Sequence, residues 1–386
     1  MRIKHFILIA AVALVASSCA HSFEAEQTQQ PAIGFGTWAE QLTKARAAGS
    51  NTFEAGDDFA VYGYYSKTVN QQEQKTTVFD NVTVRASGSP VVTWAYSPLR
   101  FWDPTAEKYT FFAVSPASYA NEVDAQTGLF TSQEVNFDTY NKDILVATKK
   151  VVTAAQSAPK YPSTAVELEF NHVAAMVDVK VKMDAALDAT LQACFNDQVP
   201  SNAGLQITAA SLVSITKKGT FAVASYDNQT LKPVIGSTNC GWVASQAQDA
   251  AGDYSTTVQT PLQITQTTSY DQNHEAGQPS GSDQYLFEHY VLMPQQLAAS
   301  TQQLHIEYDI ITQVTPSVVK TSYSADIDIK DFVLEDKDNN DANSVPAYWA
   351  PGYHYTYTLT IGANAITFTA SINDWATASG YRYLVQ

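Results

Sequence analysis

The sequence is short of charge, of sulfur and of long apolar runs. Only 16% of its 386 residues are Asp, Glu, Lys or Arg, so Ser, Thr, Gln and Asn must do much of the solvating. Bases are scarcer than acids, 22 against 38, and the formal charge is −16. A surface this acidic repels nucleic acid and anionic lipid head groups. There is no G-x-S-x-G turn and no Gly-rich loop leading into Lys-Ser or Lys-Thr, so the common nucleophile and phosphate-binding signatures are missing. None of His21, His172, His274, His289, His305 and His354 has a His or Glu partner three or four positions away in a helical setting. The reading is therefore of a non-enzyme, with no catalytic residue, no metal ligand set and no cofactor. His172, two residues after Phe170, reads as a structural residue at a strand edge. The apolar run Phe6–Ala16 is shorter than the ~20 residues a membrane-spanning helix needs, and no later segment approaches that length.

What the N-terminus does contain is a basic head, Met-Arg-Ile-Lys-His, then that apolar run, then Ser17-Ser18-Cys19. This order fits a secretory signal. Small residues directly before a cysteine make it similar to a bacterial lipoprotein signal over residues 1–18, with Cys19 as the first mature residue and the bearer of lipid. Ala16 stands where such signals usually have Leu, and an ordinary cleaved signal with an incidental cysteine is the other reading. Loss of Arg2 and Lys4 with the leader leaves 20 bases against 38 acids, a balance of −18. The remaining cysteines, Cys194 and Cys240, stand 46 positions apart with no cysteine or histidine at zinc spacing. In an exported protein they can form a disulfide, and two unpaired thiols fit equally well.

Residues 19–31 are polar and shapeless, a tether. Beyond them the 21 tyrosines, the 17 phenylalanines and the abundant hydroxyl residues suit β-structure. Period-2 alternation recurs. Phe59, Val61 and Gly63 alternate with Ala60, Tyr62 and Tyr64. Val78, Val82 and Val84 read as one face, and Lys108–Val114 as a further strand. Val166, Leu168 and Phe170 alternate with Glu167, Glu169 and Asn171. Leu304–Ile310, Tyr323–Ile329, Tyr353–Ile361 and Ile366–Ile372 show the clearest alternation, and Gly362-Ala363-Asn364 predicts a hairpin between the last two. Asp184–Phe195 reads as one short helix, and Ala244–Gly281 as a largely polar loop region. Pro159 and Pro162 interrupt the pattern, placing a boundary between an N-terminal unit, 32–160, and a C-terminal unit, 161–386. One apolar and one hydroxyl-rich face per strand predict antiparallel sheets packed on one side only. At about seven strands per half, the chain reads as two tandem all-β sandwiches.

Asp336, Asp338 and Asn340 have the look of a calcium loop. An EF-hand loop needs Gly at its sixth position and Glu at its twelfth; here those are Asp341 and Ala347, and a solvated turn is the better reading.

A set of short motifs runs through the chain in fixed order. It includes Phe53-Glu-Ala-Gly-Asp-Asp-Phe59, Trp94-Ala-Tyr-Ser-Pro98, Arg100-Phe-Trp-Asp-Pro104 and Tyr109-Thr-Phe-Phe-Ala-Val-Ser-Pro116. Asp143-Ile-Leu145, Phe170-Asn-His172, Leu292-Met-Pro294, Trp349-Ala-Pro-Gly352 and Ile372-Asn-Asp-Trp375 follow. Together with the leader ending at Cys19, they resemble the fimbrillins of Bacteroidales, the Mfa-like pilins, over nearly the whole chain. The resemblance implies two transthyretin-like β-sandwich domains. It implies a pilus subunit that is exported as an outer-membrane lipoprotein, held through lipid on Cys19, and then built into a surface fimbrium that serves adhesion to a host or bacterial surface. It further implies that an Arg- or Lys-specific protease removes the first strand and that a donor strand from another pilin subunit fills the groove. Lys44 and Arg46 are the matching cleavage candidates; as ordinary exposed charges they would have no such role. The C-terminal tail alternates, with Tyr381, Tyr383 and Val385 on one side, and is the candidate donor strand; folded back on its own sheet it would be an edge strand. The rival function is a monomeric glycan-binding lipoprotein that uses some of the six tryptophans as stacking platforms, although most of these rings are expected to be packed inside.

Overall fold

The computed structural model describes residues 31–37, 53, 55–88, 93–138, 143–236, 241–256, 262–264, 284–297, 301–334, 348–363 and 366–374. The first half contains β1 (Phe35–Thr37), β2 (Asp58–Val69), β3 (Gln72–Ser87), β4 (Thr93–Ala95), β5 (Lys108–Ser115), β6 (Phe130–Thr131), β7 (Val135–Asn136), β8 (Leu145–Ala147), β9 (Lys150–Thr153), β10 (Val166–Leu168) and β11 (Phe170–His172). The second begins with β12 (Ala175–Met183), helix α1 (Ala185–Cys194), β13 (Gly204–Thr216), β14 (Lys218–Tyr226), β15 (Pro233–Ile235), β16 (Trp242–Ala244), β17 (Ala251–Thr256) and β18 (Leu262–Ile264). It continues with β19 (Gln284–Leu292), β20 (Gln295–Gln296), β21 (Gln303–Gln313), β22 (Val319–Asp328), β23 (Val333–Leu334), β24 (Tyr348–Trp349), β25 (Tyr353–Ile361) and β26 (Ile366–Asp374). The all-β reading therefore holds, with α1 in the expected place. Asp184 caps α1 by accepting a hydrogen bond from the Leu187 N–H at 2.6 Å. Among the described residues no helix is long and apolar enough to cross a membrane.

The first half is built on a seven-stranded sheet in the order β11-β8-β5-β2-β3-β4, with β9 also on β5. One face carries Phe59, Val61, Phe79, Val84, Phe111 and Leu145 into a core closed by Ile33, Phe35, Trp102, Tyr161, Val166 and Leu168. The expected alternation of one dry and one wet face does not apply to this sheet. Its second face, with Ala60, Tyr62, Phe112, Val114 and Val146, is also buried, against Phe221, Val223, Trp242, Val291 and Met293 from the second half. The physical source is β14, which pairs with β6 and β7 of the first half as well as with β15 and β16. A β-strand from the second half thereby joins the edge structure of the first.

The second half is a two-sheet sandwich. Sheet β19-β12-β25-β26-β23 faces sheet β17-β13-β21-β22, with β18 on β13. Val177, Val179, Val181, Leu205, Ile207, Ile306 and Tyr357 fill the space between. The β25–β26 hairpin forms in the register Tyr353↔Asp374 to Ile361↔Ile366. Pairing is not antiparallel throughout: β1 with β10, β12 with β25 and β23 with β26 run parallel. Each joins strands that are far apart in sequence or separated by an intervening crossing, as parallel pairing requires.

Tyr161, Val166, Leu168 and Phe170, expected on the C-terminal side of a boundary at 160, pack in the first core. The Tyr161 ring stacks on Trp102 at 4.7 Å and 5°, and its hydroxyl donates to the Ala106 carbonyl at 2.9 Å. The proline-marked interruption is thus a loop within the first unit. Val173 and Ala174, next along the chain, pack among the residues that bury the second face of the first sheet.

Candidate functional site

Residues 31–37 read Pro-Ala-Ile-Gly-Phe-Gly-Thr, two large apolar side chains two positions apart among small residues. In an extended chain this puts Ile33 and Phe35 on one face and Ala32, Gly34 and Gly36 on the other. Both large residues are buried. The segment lies between two backbone stretches that are distant in sequence. On one side the Ile33 N–H donates to the Arg100 carbonyl at 2.8 Å and Ala32 bridges Phe101 in antiparallel fashion. On the other, β1 runs parallel to β10 in the register Phe35↔Val166 to Thr37↔Leu168, and the Val166 N–H donates to the Gly34 carbonyl at 2.8 Å.

The Phe35 ring sits in an aromatic socket. Its centroid is 5.2 Å from Phe79, 5.7 Å from Tyr96, 5.7 Å from Phe111 and 6.4 Å from Phe59. Tyr96 adds a polar tie. Its hydroxyl donates to the Ile33 carbonyl at 2.6 Å and accepts from the Arg100 N–H at 3.1 Å. Burial pushes the Tyr96 phenol above its ordinary value, so it keeps the proton it donates. Phe53, where the described chain resumes after β1, packs into the same core against Trp94 at 5.2 Å and Phe170 at 5.1 Å.

Burying Ile33 and Phe35 contributes about 1.5–3 kcal/mol each before ordering costs. Taking residues 31–37 away would uncover the Phe35 socket and leave the Arg100 carbonyl and the Val166 N–H without these partners. An open hydrophobic slot flanked by two unpaired backbone edges is a receptor for an extended peptide. Such a slot binds and holds by apolar burial and backbone pairing.

The other sequence candidates fall in various places. Cys19, Lys44, Arg46, Cys240, Tyr381, Tyr383 and Val385 lie outside the described residues, as does the Asp336–Asn340 loop. Lys44 and Arg46 belong to the stretch that joins β1 to Phe53. Cys194 is exposed at the end of α1. His172 is buried with its Nδ1 2.9 Å from Asp143 Oδ2, tying β11 to the residues before β8. Trp102, Trp242 and Trp349 are buried and Trp94 is half-buried, so the described tryptophans offer no open sugar platform. No group of three or more His, Cys, Asp and Glu suited to a metal ion occurs among the described residues. Sequence reasoning missed the walls of the groove, Phe79, Tyr96, Arg100 and Val166. Trp94-Ala-Tyr-Ser-Pro98 and Arg100-Phe-Trp-Asp-Pro104 stood out as motifs, yet nothing in them says which strand they embrace.

The chain is thus all-β, with its first strand seated between Arg100–Phe101 and β10. The chain belongs to the fimbrillin-like family, whose model matches residues 43–375, beginning after β1. It is similar to the fimbrium subunit Fim1C of Phocaeicola vulgatus, with 22% identity over 390 residues, 97% of this chain and 96% of that one. Among solved structures it is similar to a fimbrial protein from Bacteroides vulgatus, at TM-score 0.45 and 18% identity over 90% of this chain and 100% of that one. A fimbrilin from Porphyromonas gingivalis matches at TM-score 0.35 and 12% identity over 90% and 98% of the two chains. The family is one of structural fimbrial subunits, components of cell-surface appendages that assemble with other subunits of their kind.

Proposed function

We propose that this chain is exported as a lipoprotein, held at the outer membrane through lipid on Cys19, and converted into a fimbrial building block by cleavage at Lys44 or Arg46. Cleavage disconnects residues 31–37 from the body of the protein. The C-terminal strand of another subunit, with Tyr381, Tyr383 and Val385 on its apolar side, then takes their place. The fimbrium so formed serves adhesion. The chemistry is burial of a strand, and it needs no cofactor.

The observation that carries this reading is the placement of Ile33 and Phe35. A short segment supplies two large side chains to the first core, and the connection that follows it contains Lys44 and Arg46, the only bases between Lys4 and Lys67. While covalently attached, the segment benefits from a high effective concentration; once cut, it competes with any other strand on ordinary terms. The test compares wild type, Lys44→Gln/Arg46→Gln and a chain lacking residues 381–386 after exposure to an Arg/Lys-specific protease. SDS-resistant ladders and filaments are expected for wild type alone. Ladders from the tail-deleted protein would refute the donor, and ladders from the double variant would refute the cleavage step.

A further inference from the structure

Two large apolar side chains lie uncovered beside the first strand. Leu99 is 55% exposed and Phe101 is 47% exposed. Both precede Trp102 on the backbone stretch that flanks residues 31–34, where Phe101 stands across from Ala32 and Arg100 bonds to Ile33. Continuing that antiparallel register puts Leu99 opposite Gly34. The outward face of the strand is Ala32, Gly34 and Gly36, none with a side chain larger than methyl. A Cβ at Gly34 would lie 3.8 Å from Ala165 of the other wall. The result is a shallow apolar trench over Ala32 and Gly34, walled on one side by Leu99 and Phe101 and closed at Gly36, where a Cβ would run into the Glu167 carboxylate. Large apolar side chains left in the open beside a binding groove mark a contact surface.

We infer that Leu99 and Phe101 receive the body of the subunit whose tail enters the groove. This rests on the strand-replacement reading above and adds the second half of the contact. The tail Tyr381–Gln386 is joined to β26 by six residues, Trp375–Gly380, which reach about 20 Å at full extension. A donor's body is therefore held close to one end of the groove. None of the other large exposed apolar residues among those described adjoins β1 in sequence or by strand pairing. The patch lies at the Pro31 end, so the donor runs in the direction of β1, parallel to β10, with its own sandwich docked over Leu99 and Phe101. A second copy of this chain is the fitting partner, because its tail and body arrive together.

The experiment uses full-length protein cut by an Arg/Lys-specific protease and a synthetic peptide of residues 375–386. Leu99→Ser/Phe101→Ser changes only exposed side chains. The peptide is expected to bind cut wild type and the double variant alike, while polymerisation of the variant slows about tenfold or more, since the lost apolar contact is no longer buried between subunits. In a Cys194→Ser/Cys240→Ser background, Leu99→Cys on one subunit should cross-link to Ser379→Cys on the next. Failure of the peptide to bind cut wild type would overturn the groove reading itself. Normal polymerisation of the variant alongside normal peptide binding would overturn only the patch. Loss of peptide binding in the variant would overturn it too, by making these residues part of the groove. Unchanged polymer with reduced co-sedimentation on phosphatidylethanolamine vesicles would assign the patch to a lipid surface instead.

Discussion

The Tyr96 hydroxyl and the Ile33 carbonyl meet at 2.6 Å, so a side chain just past β4 closes directly on the backbone of the segment that fills the groove. The same oxygen accepts from the Arg100 N–H, and the two contacts hold the groove wall and the strand in one register. Tyr96→Phe keeps the ring beside Phe35 and removes only this tie. It should destabilise the uncut protein by about 0.5–1.5 kcal/mol, read as a shift in urea midpoint without a change in slope. An unchanged midpoint would show that the bond carries no weight.

Phe35→Ala empties a socket lined by Phe59, Phe79, Tyr96 and Phe111. The uncut chain should lose about 3–5 kcal/mol of stability. Because the weakened segment no longer competes well, the variant should also take up a peptide of residues 375–386 faster than wild type after cutting. Fluorescence anisotropy of the labelled peptide checks the rate, and chemical denaturation checks the stability.

His305 and Asp326 face each other on β21 and β22, with Nδ1 2.6 Å from Oδ1 and Glu307 near the other ring nitrogen at 3.5 Å. The hydrogen bond to Asp326, helped by Glu307, raises the imidazole above its ordinary 6.5. A raised value means the protonated form is favoured in the folded state. The stabilisation is therefore complete below 6.5 and fades as pH rises through the raised value. An NMR titration should place His305 above 6.5, and Asp326→Asn should bring it down. A titration at or below 6.5 in wild type would contradict the assignment.

Much of the second half could be read from its residues. β25 alternates cleanly because one face meets the core and the other does not, β21 does so from Leu304 to Tyr308, and Asp184 marks the start of α1. β22, by contrast, is exposed on both faces from Val319 to Ser324, so its period-2 pattern of apolar residues does not mark a buried face there. The first half was harder for a physical reason. β2 and β5 are buried on both faces, so Tyr62 and Phe112 are as enclosed as Phe59 and Phe111, and alternation does not separate inside from outside. In β3, Asn81 has φ 51° and the pairing slips between Val61↔Val82 and Gly63↔Phe79. That irregularity resets the parity, and Phe79 rather than Val78 is the residue fully buried with Val84. The groove was legible as an apolar strand near two bases. Its walls were not, because the parallel pairing of residues 35–37 with 166–168 spans about 130 positions, and a contact at that separation leaves no periodic mark on the chain.

The central claim is that the place between Arg100–Trp102 and β10 changes hands on assembly. Electron cryo-microscopy of filaments made from the protease-treated chain tests it most directly. The account predicts density there that traces to residues 381–386 of the adjacent subunit, with a tyrosine ring in the Phe35 socket and residues 31–37 gone. Density continuous with the subunit's own Ile33 and Phe35 in an assembled filament would contradict it.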